Sequence, residues 1–177
     1  VTKERDADLL ERWRGGDEHA GRELFANLAP ALMRFFRNRV RGDQVQDLVQ
    51  ETMLRLVDGR DRIDKTVFGY AYGIAWNLWR EHLTKAQRLV VDPLTHTLED
   101  MGMGMSTMVG RGERQQLLNE ALRRLPLQLQ AALELYYFES LTSAQIAECF
   151  DTKPATMRRR LSRAREQLER IMLELEA

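Results

Sequence analysis

The chain has 177 residues, 31% of them charged, and its 27 basic and 27 acidic side chains balance to a formal net charge of zero. That length fits one domain or two small ones, and a single cysteine, Cys149, excludes an internal disulfide framework and fits a reducing cytoplasm. No apolar run reaches the length of a membrane span, and the polar start Val1-Thr2-Lys3-Glu4-Arg5-Asp6 does not read as a signal peptide, so no membrane insertion is expected.

Apolar periodicity predicts helices over residues 6–14, 17–40, 43–58 and 66–86, with breaks at Gly15-Gly16, Gly42-Asp43 and Asp58-Gly59. In the third of these, Val45, Val49, Thr52 and Leu56 form the expected buried stripe. Gln44, Asp47, Leu48, Glu51 and Arg55 lie opposite. Leu48 is then either an ordinary surface leucine or the docking point of a partner. The fourth helix carries Tyr70, Tyr72, Trp76 and Trp79, then Arg80, Lys85 and Arg88. Rings can hold an unstacked base and cations a nucleic-acid strand. Tyr72, Trp76 and Trp79 share helical spacing, however, so at least one is expected in the core.

Helical period is lost from 89 to 112. Pro93 breaks any helix there, and Met101-Gly102-Met103-Gly104-Met105 and Gly110-Arg111-Gly112 are expected to be flexible. A second helical block runs from 113 to 177, with Pro126 near the start of a helix ending about Glu139. After it, Leu141 to Phe150 and Asp151 to Arg165 read as two helices joined by a tight turn, with Cys149 as a core thiol. In the last helix Met157, Leu161, Ala164 and Leu168 form one apolar stripe, and Ala155, Arg159, Ser162, Arg163 and Glu166 point the other way. Such a helix suits a helix-turn-helix entering a major groove. Arg159 and Arg163, with Ser162 between them, would read base edges. Arg158 and Arg160 would hold phosphates, and Thr156 sits near the helix N-terminus, where a phosphate fits.

The expected fold is therefore all-α: two small helical domains, 1–88 and 113–177, joined by a flexible linker at 89–112, the C-terminal one a helix-turn-helix. His19, His82 and His96 are scattered, and no phosphate-binding loop or dinucleotide fingerprint occurs. No enzyme activity, metal or cofactor is expected.

Asp47-Leu48-Val49-Gln50-Glu51-Thr52-Met53-Leu54-Arg55-Leu56 resembles region 2 of the bacterial extracytoplasmic-function (ECF) sigma factors. Tyr70 to Leu83 resembles the segment that follows it in that family, and Leu125-Pro126 with Leu141 to Arg165 resembles region 4. The resemblance implies a sigma factor that binds core RNA polymerase (the β′ clamp and the β subunit) and directs promoter-specific initiation. It implies that Gln44, Asp47, Leu48, Gln50, Glu51 and Arg55 meet the β′ clamp. Tyr70, Trp76, Asn77, Arg80, Lys85 and Arg88 would meet the minus-ten element of promoter DNA. Thr156, Arg158, Arg159, Arg160, Ser162 and Arg163 would meet the minus-thirty-five element.

The chain departs from the family pattern in two places. Gln44-Val45-Gln46-Asp47 stands where the family has an acidic cluster, and Gly73 and Trp76 stand where it often has basic residues. The first change weakens attraction to a basic clamp. The resemblance also brings in two kinds of regulator, an anti-sigma factor or a Ser/Thr kinase, with Thr66 more accessible than Thr52. The alternative reading is a sigma mimic that sequesters an anti-sigma factor. A third, a dimeric helix-turn-helix repressor, leaves the 70–88 segment unexplained.

Overall fold

A computed structural model describes residues 3–87, 90–102 and 112–177 of the chain. Its helices are α1 (Lys3–Arg14), α2 (Glu18–Arg37), α3 (Gly42–Gly59), α4 (Val67–Gln87), α5 (Glu113–Arg123), α6 (Leu127–Tyr137), α7 (Ser143–Cys149) and α8 (Pro154–Glu176), with one 3-10 turn at Arg60–Arg62. The described residues contain no strand, only a single antiparallel bridge between Thr97 and Pro126.

Local chemistry sets the helix ends. Asp17 caps α2 by accepting from the His19 and Ala20 amides. Thr142 and Gln145 exchange side-chain and backbone bonds in a capping box at the start of α7. Pro154 opens α8, where its missing N–H costs nothing. Asp151, with φ 47°, makes the tight turn between α7 and α8.

The first domain, α1 to α4, closes around Leu9, Trp13, Leu24, Leu28, Leu32, Phe36, Leu56, Trp79 and Leu83, all buried. Gly21 lets α2 approach the Trp13 ring: a Cβ there would lie 2.6 Å from ring atoms, so no larger residue fits without displacing the indole. The second domain packs α5, α6 and α7 on α8 through Leu122, Leu133, Ile146, Met157, Leu161 and Ala164.

Residues 90–102 are not the flexible lead that composition predicts. Val91 and Leu98 are buried. The Leu127 amide donates to His96 O at 3.0 Å, the Gln128 amide to Pro93 O at 2.9 Å and the Glu99 amide to Arg123 O at 3.2 Å. Side chains hold the turns: Leu94 N donates to Asp92 Oδ1, and Thr97 and Asp100 exchange backbone-to-side-chain bonds. The rest of the expected flexible run, Met103 to Arg111, lies outside the described residues, as does Arg88.

The two domains touch. α7 lies against α4, with Phe150 edge-on to Trp76 at 4.9 Å between ring centroids.

Candidate functional site

Three surfaces carry the residues singled out in the sequence. On α3, Val45, Thr52 and Leu56 are buried, but Val49 is only partly so. The face turned to solvent is centred on Asp43, Asp47, Gln50, Leu54 and Val57. Leu48 is half-buried and packs against the core, which corrects the expectation of an exposed leucine there. The exposed leucine is Leu54, at 53%. The rotation arises because α3 packs on both α2 and α4, so its inward arc is wider than one stripe. Gln44 and Gln46 are exposed. Glu51 and Arg55 pair at 2.8 Å, and Arg55 also reaches Glu81 at 3.5 Å, which raises the guanidinium pKa further, mainly through the Glu51 bond.

On α4 the aromatic expectation divides sharply. Tyr72, Trp76 and Trp79 are all buried, more than the one ring the spacing required. Trp76 is wedged between Trp79 and Phe150, so it presents no face for a base in this arrangement. Tyr70 is half-buried, its hydroxyl directly over Gly59 at the end of α3. A side chain at Gly59 would collide with it. Asn77, Arg80 and Lys85 are exposed. They line an open groove of about 570 Å³ between α3 and α4 with Arg55, Ile74, Glu81 and Thr84.

On α8 the inward stripe of Met157, Leu161 and Ala164 is buried, as the periodicity predicts, and Leu168 is partly buried against the same core. Arg158, Arg159, Ser162 and Arg163 are exposed, and Thr156 is half-buried on the first turn. Ser162 donates to Glu166 at 3.2 Å, and Arg165 lies over the Tyr136 ring at 5.4 Å. Arg160 behaves otherwise than expected. It is half-buried and donates to Gln128 Oε1 at 2.8 Å, so it ties α8 to α6 and is not free for a phosphate. The cause is its position one residue before Leu161, which turns it toward α6.

Neighbouring acids could have neutralised the α8 arginines, but first-domain residues hold those acids. Glu134 pairs with Arg39 at 2.8 Å and Glu139 with Arg34 at 2.8 Å, while Glu148 accepts from Thr66. Sequence reading missed Arg34 and Arg39, since their partners lie some hundred residues away and no local pattern announces them. Thr66, placed in an accessible loop by its sequence, instead caps α4 and bonds Glu148. Thr52 is buried and donates to Leu48 O. Cys149 is buried, its thiol donating to Gln145 O, and burial pushes its pKa up to about 12. The described residues contain no cluster suited to a metal ion and no helix long and apolar enough to cross a membrane.

An all-α protein with a helix-turn-helix at one end and, at the other, a polar-faced helix beside an open groove that carries Arg55, Arg80 and Lys85 has the build of a two-part DNA-binding protein. Residues 24–89 match the family described as Sigma-70 region 2, and residues 115–168 match Sigma-70, region 4. The chain is 28% identical to the RNA polymerase sigma-H factor of Pseudomonas aeruginosa, over 97% of this chain and 96% of that protein. It is 26% identical to the ECF RNA polymerase sigma-E factor of Haemophilus influenzae, over 93% of each. Among solved structures, the sigma factor RpoE in its complex with the anti-sigma factor NepR from Bartonella quintana shares the fold. The TM-score is 0.62 at 19% identity, covering 85% of this chain and 95% of that one. The chain belongs to the ECF sigma factors, and its function is to direct transcription initiation.

Proposed function

We propose that the chain engages core polymerase through the outer face of α3, holds the minus-ten strand in the groove between α3 and α4, and reads the minus-thirty-five element with α8. One observation carries the reading. Arg158, Arg159 and Arg163 project from one helix face with no intramolecular partner among the described residues, while Arg160, one position away, is engaged. A structural basic helix would have used Glu134, Glu139 and Glu148 to neutralise itself, and those acids are turned elsewhere. Asp47 and Gln50 would meet the β′ clamp, flanked by Leu54. For the β subunit, an apolar cleft of about 560 Å³ runs between α5, α6 and α8, lined by Leu118, Leu122, Tyr137, Phe138, Leu168 and Leu173.

Co-purification with core polymerase followed by run-off transcription tests the assignment. A sigma factor gives both, a mimic gives no transcript, and a simple repressor gives no polymerase binding. Regulation by an anti-sigma factor is the favoured form of control, because the RpoE relative of this fold is held by one. A Ser/Thr kinase is less favoured, because the Thr66 hydroxyl is engaged in two hydrogen bonds and Thr52 is buried.

Gln44 and Gln46 leave the docking face short of charge. Gln44→Asp with Gln46→Glu is expected to tighten polymerase binding at low salt, since both positions are exposed and Asp43 and Asp47 adjoin them. Exposed charges contribute roughly 0.2–1 kcal/mol each, and the attraction is screened over about 10 Å at 0.1 M salt. The gain should therefore shrink across a salt titration. Equal affinity of variant and parent at every salt concentration would remove the charge deficit from the account.

A further inference from the structure

The outer face of α8 carries one acid among its arginines. Arg159, Ser162, Arg163 and Glu166 share that face by helical spacing, and all four are exposed. Glu166 has arginines at the two helix positions best placed to neutralise it, Arg163 three residues before and Arg170 four after. Among the described residues it pairs with neither, and its bond is to Ser162, whose hydroxyl donates to Oε1 at 3.2 Å. The acid is costly where it stands. A helix face that approaches DNA meets phosphates, so a carboxylate left without a cation opposes the binding that Arg158, Arg159 and Arg163 promote. Hydrogen-bond chemistry says what an acid on this face can do. A carboxylate only accepts, so Ser162 gives its single proton to Glu166, and the two then present lone pairs outward. The arginines beside them present only donors. The face is therefore donor at Arg159 and Arg163 and acceptor at Ser162 and Glu166.

We propose that Glu166, steadied by Ser162, is a specificity-determining residue for the upstream element and accepts from the exocyclic N4 amino group of a cytosine. The inference rests on the reading above that α8 enters the major groove, and adds to it one residue and one base. The cytosine edge in that groove is a donor, whereas guanine shows N7 and O6 and thymine shows O4, all acceptors. Adenine sets its N7 acceptor beside the N6 amino group, so it suits a carboxylate less well than cytosine does. A carboxylate facing guanine or thymine sets lone pairs against lone pairs, so rejection of those bases adds to selection of cytosine. The guanine of the same or the neighbouring pair offers N7 and O6 to Arg163, and a C·G pair thus satisfies both signs on the face. Position along the helix places the base. Glu166 lies three residues beyond Arg163, about 4.5 Å of helix rise, and base pairs stack at about 3.4 Å. The cytosine therefore belongs within two base pairs of the position that Arg163 reads. Repulsion from phosphates acts on every DNA alike and is offset only where the amino group is present, so the acid also holds down binding to unrelated sequences.

Holoenzyme assembled from the full chain and core polymerase, selected on a promoter library randomised in the upstream element, tests this. The parent is expected to select cytosine at one position within two base pairs of the one that Arg163→Ala relaxes. Glu166→Gln keeps the shape and loses the charge, and its amide can turn either a donor or an acceptor outward. It should flatten the cytosine preference at that position by about fivefold or more, the effect of one mismatched pair. The other positions should keep their preferences, and binding to unrelated DNA should tighten. Ser162→Ala should flatten the same position by a smaller factor, since the carboxylate remains but is no longer steadied. Both side chains are exposed, so neither variant loses a core contact, and the melting temperature should hold. A bracing role for the Ser162–Glu166 bond gives the reverse, a lower melting temperature in both variants with the cytosine preference intact, and that result overturns the proposal. So does a parent that selects an upstream element with no cytosine near the Arg163 position. A parent that selects no upstream element, or one that Arg159→Ala and Arg163→Ala leave unaltered, overturns the groove reading of α8 itself, and the proposal falls with it.

Discussion

Leu54→Lys is expected to weaken co-purification with core polymerase by ten- to a hundredfold while leaving helicity and melting temperature unchanged. Leu54 is half-exposed on the outer face of α3, in line with Asp47 and Gln50, so its replacement removes no core contact. The substitution acts twice. It takes away apolar area that docking would bury, at about 25 cal/mol per Å², and it sets a cation against a clamp that the family reading makes basic. Together these reach about 1.4–2.8 kcal/mol, which is the stated range in affinity. Leu48→Asp makes the useful contrast. Leu48 packs against the core, so that variant should lose thermal stability along with binding. Full retention of polymerase by Leu54→Lys in a pull-down at physiological salt would move the docking face off this side of α3.

The second large effect is expected in DNA recognition. Arg159→Ala should cost about 1–3 kcal/mol on the preferred upstream element and relax sequence preference at one or two positions, the signature of a lost base contact. Arg163→Ala should behave similarly at neighbouring positions, since the two lie one turn apart on the same exposed face. Arg158→Ala should weaken all sequences alike and lower the salt slope by about one ion. Arg160→Ala separates the structural arginine from the reading ones. It loses the bond to Gln128 and should lower the melting temperature of the second domain without changing the preferred sequence. Binding across a library of upstream elements measures all four. An unaltered preferred sequence and affinity in both Arg159→Ala and Arg163→Ala would take base reading away from this helix.

What was legible in the sequence was whatever repeats at short range. The helix-turn-helix could be read because Met157, Leu161 and Ala164 recur at helical spacing and leave the arginines opposite, and those three residues are the buried ones. The helices of the first block could be read for the same reason. What failed to show was whatever depends on a distant partner. Nothing near Trp76 says that Phe150 will cover it, and nothing near Thr66 says that Glu148 will engage its hydroxyl. Leu48 was misplaced because a single stripe underestimates a helix packed on two neighbours. The order of residues 90–102 was missed, although it had left a signal. Asp92-Pro93-Leu94 and Thr97-Leu98-Glu99-Asp100 are side-chain-to-backbone turn patterns, and weighing overall composition above those local bonds hid them.

The ordered stretch from Val91 to Gly102 also fixes how far the halves of the molecule can travel. While it stays seated on the second domain, Gln87 and Val91 are four chain steps apart and can be separated by at most about 14 Å. A fully extended path from Gln87 to Glu113 would reach roughly 90 Å, enough to span the roughly 25 base pairs, at about 3.4 Å each, between the two proposed promoter elements. On the proposed promoter reading, the turns at 92–100 would act as a reel, storing length that engagement of both DNA elements would draw off. Unspooling would free the amides of Leu127 and Gln128 from His96 and Pro93. Their hydrogen exchange should quicken in the promoter complex, and unchanged protection there would mean the line never leaves the spool.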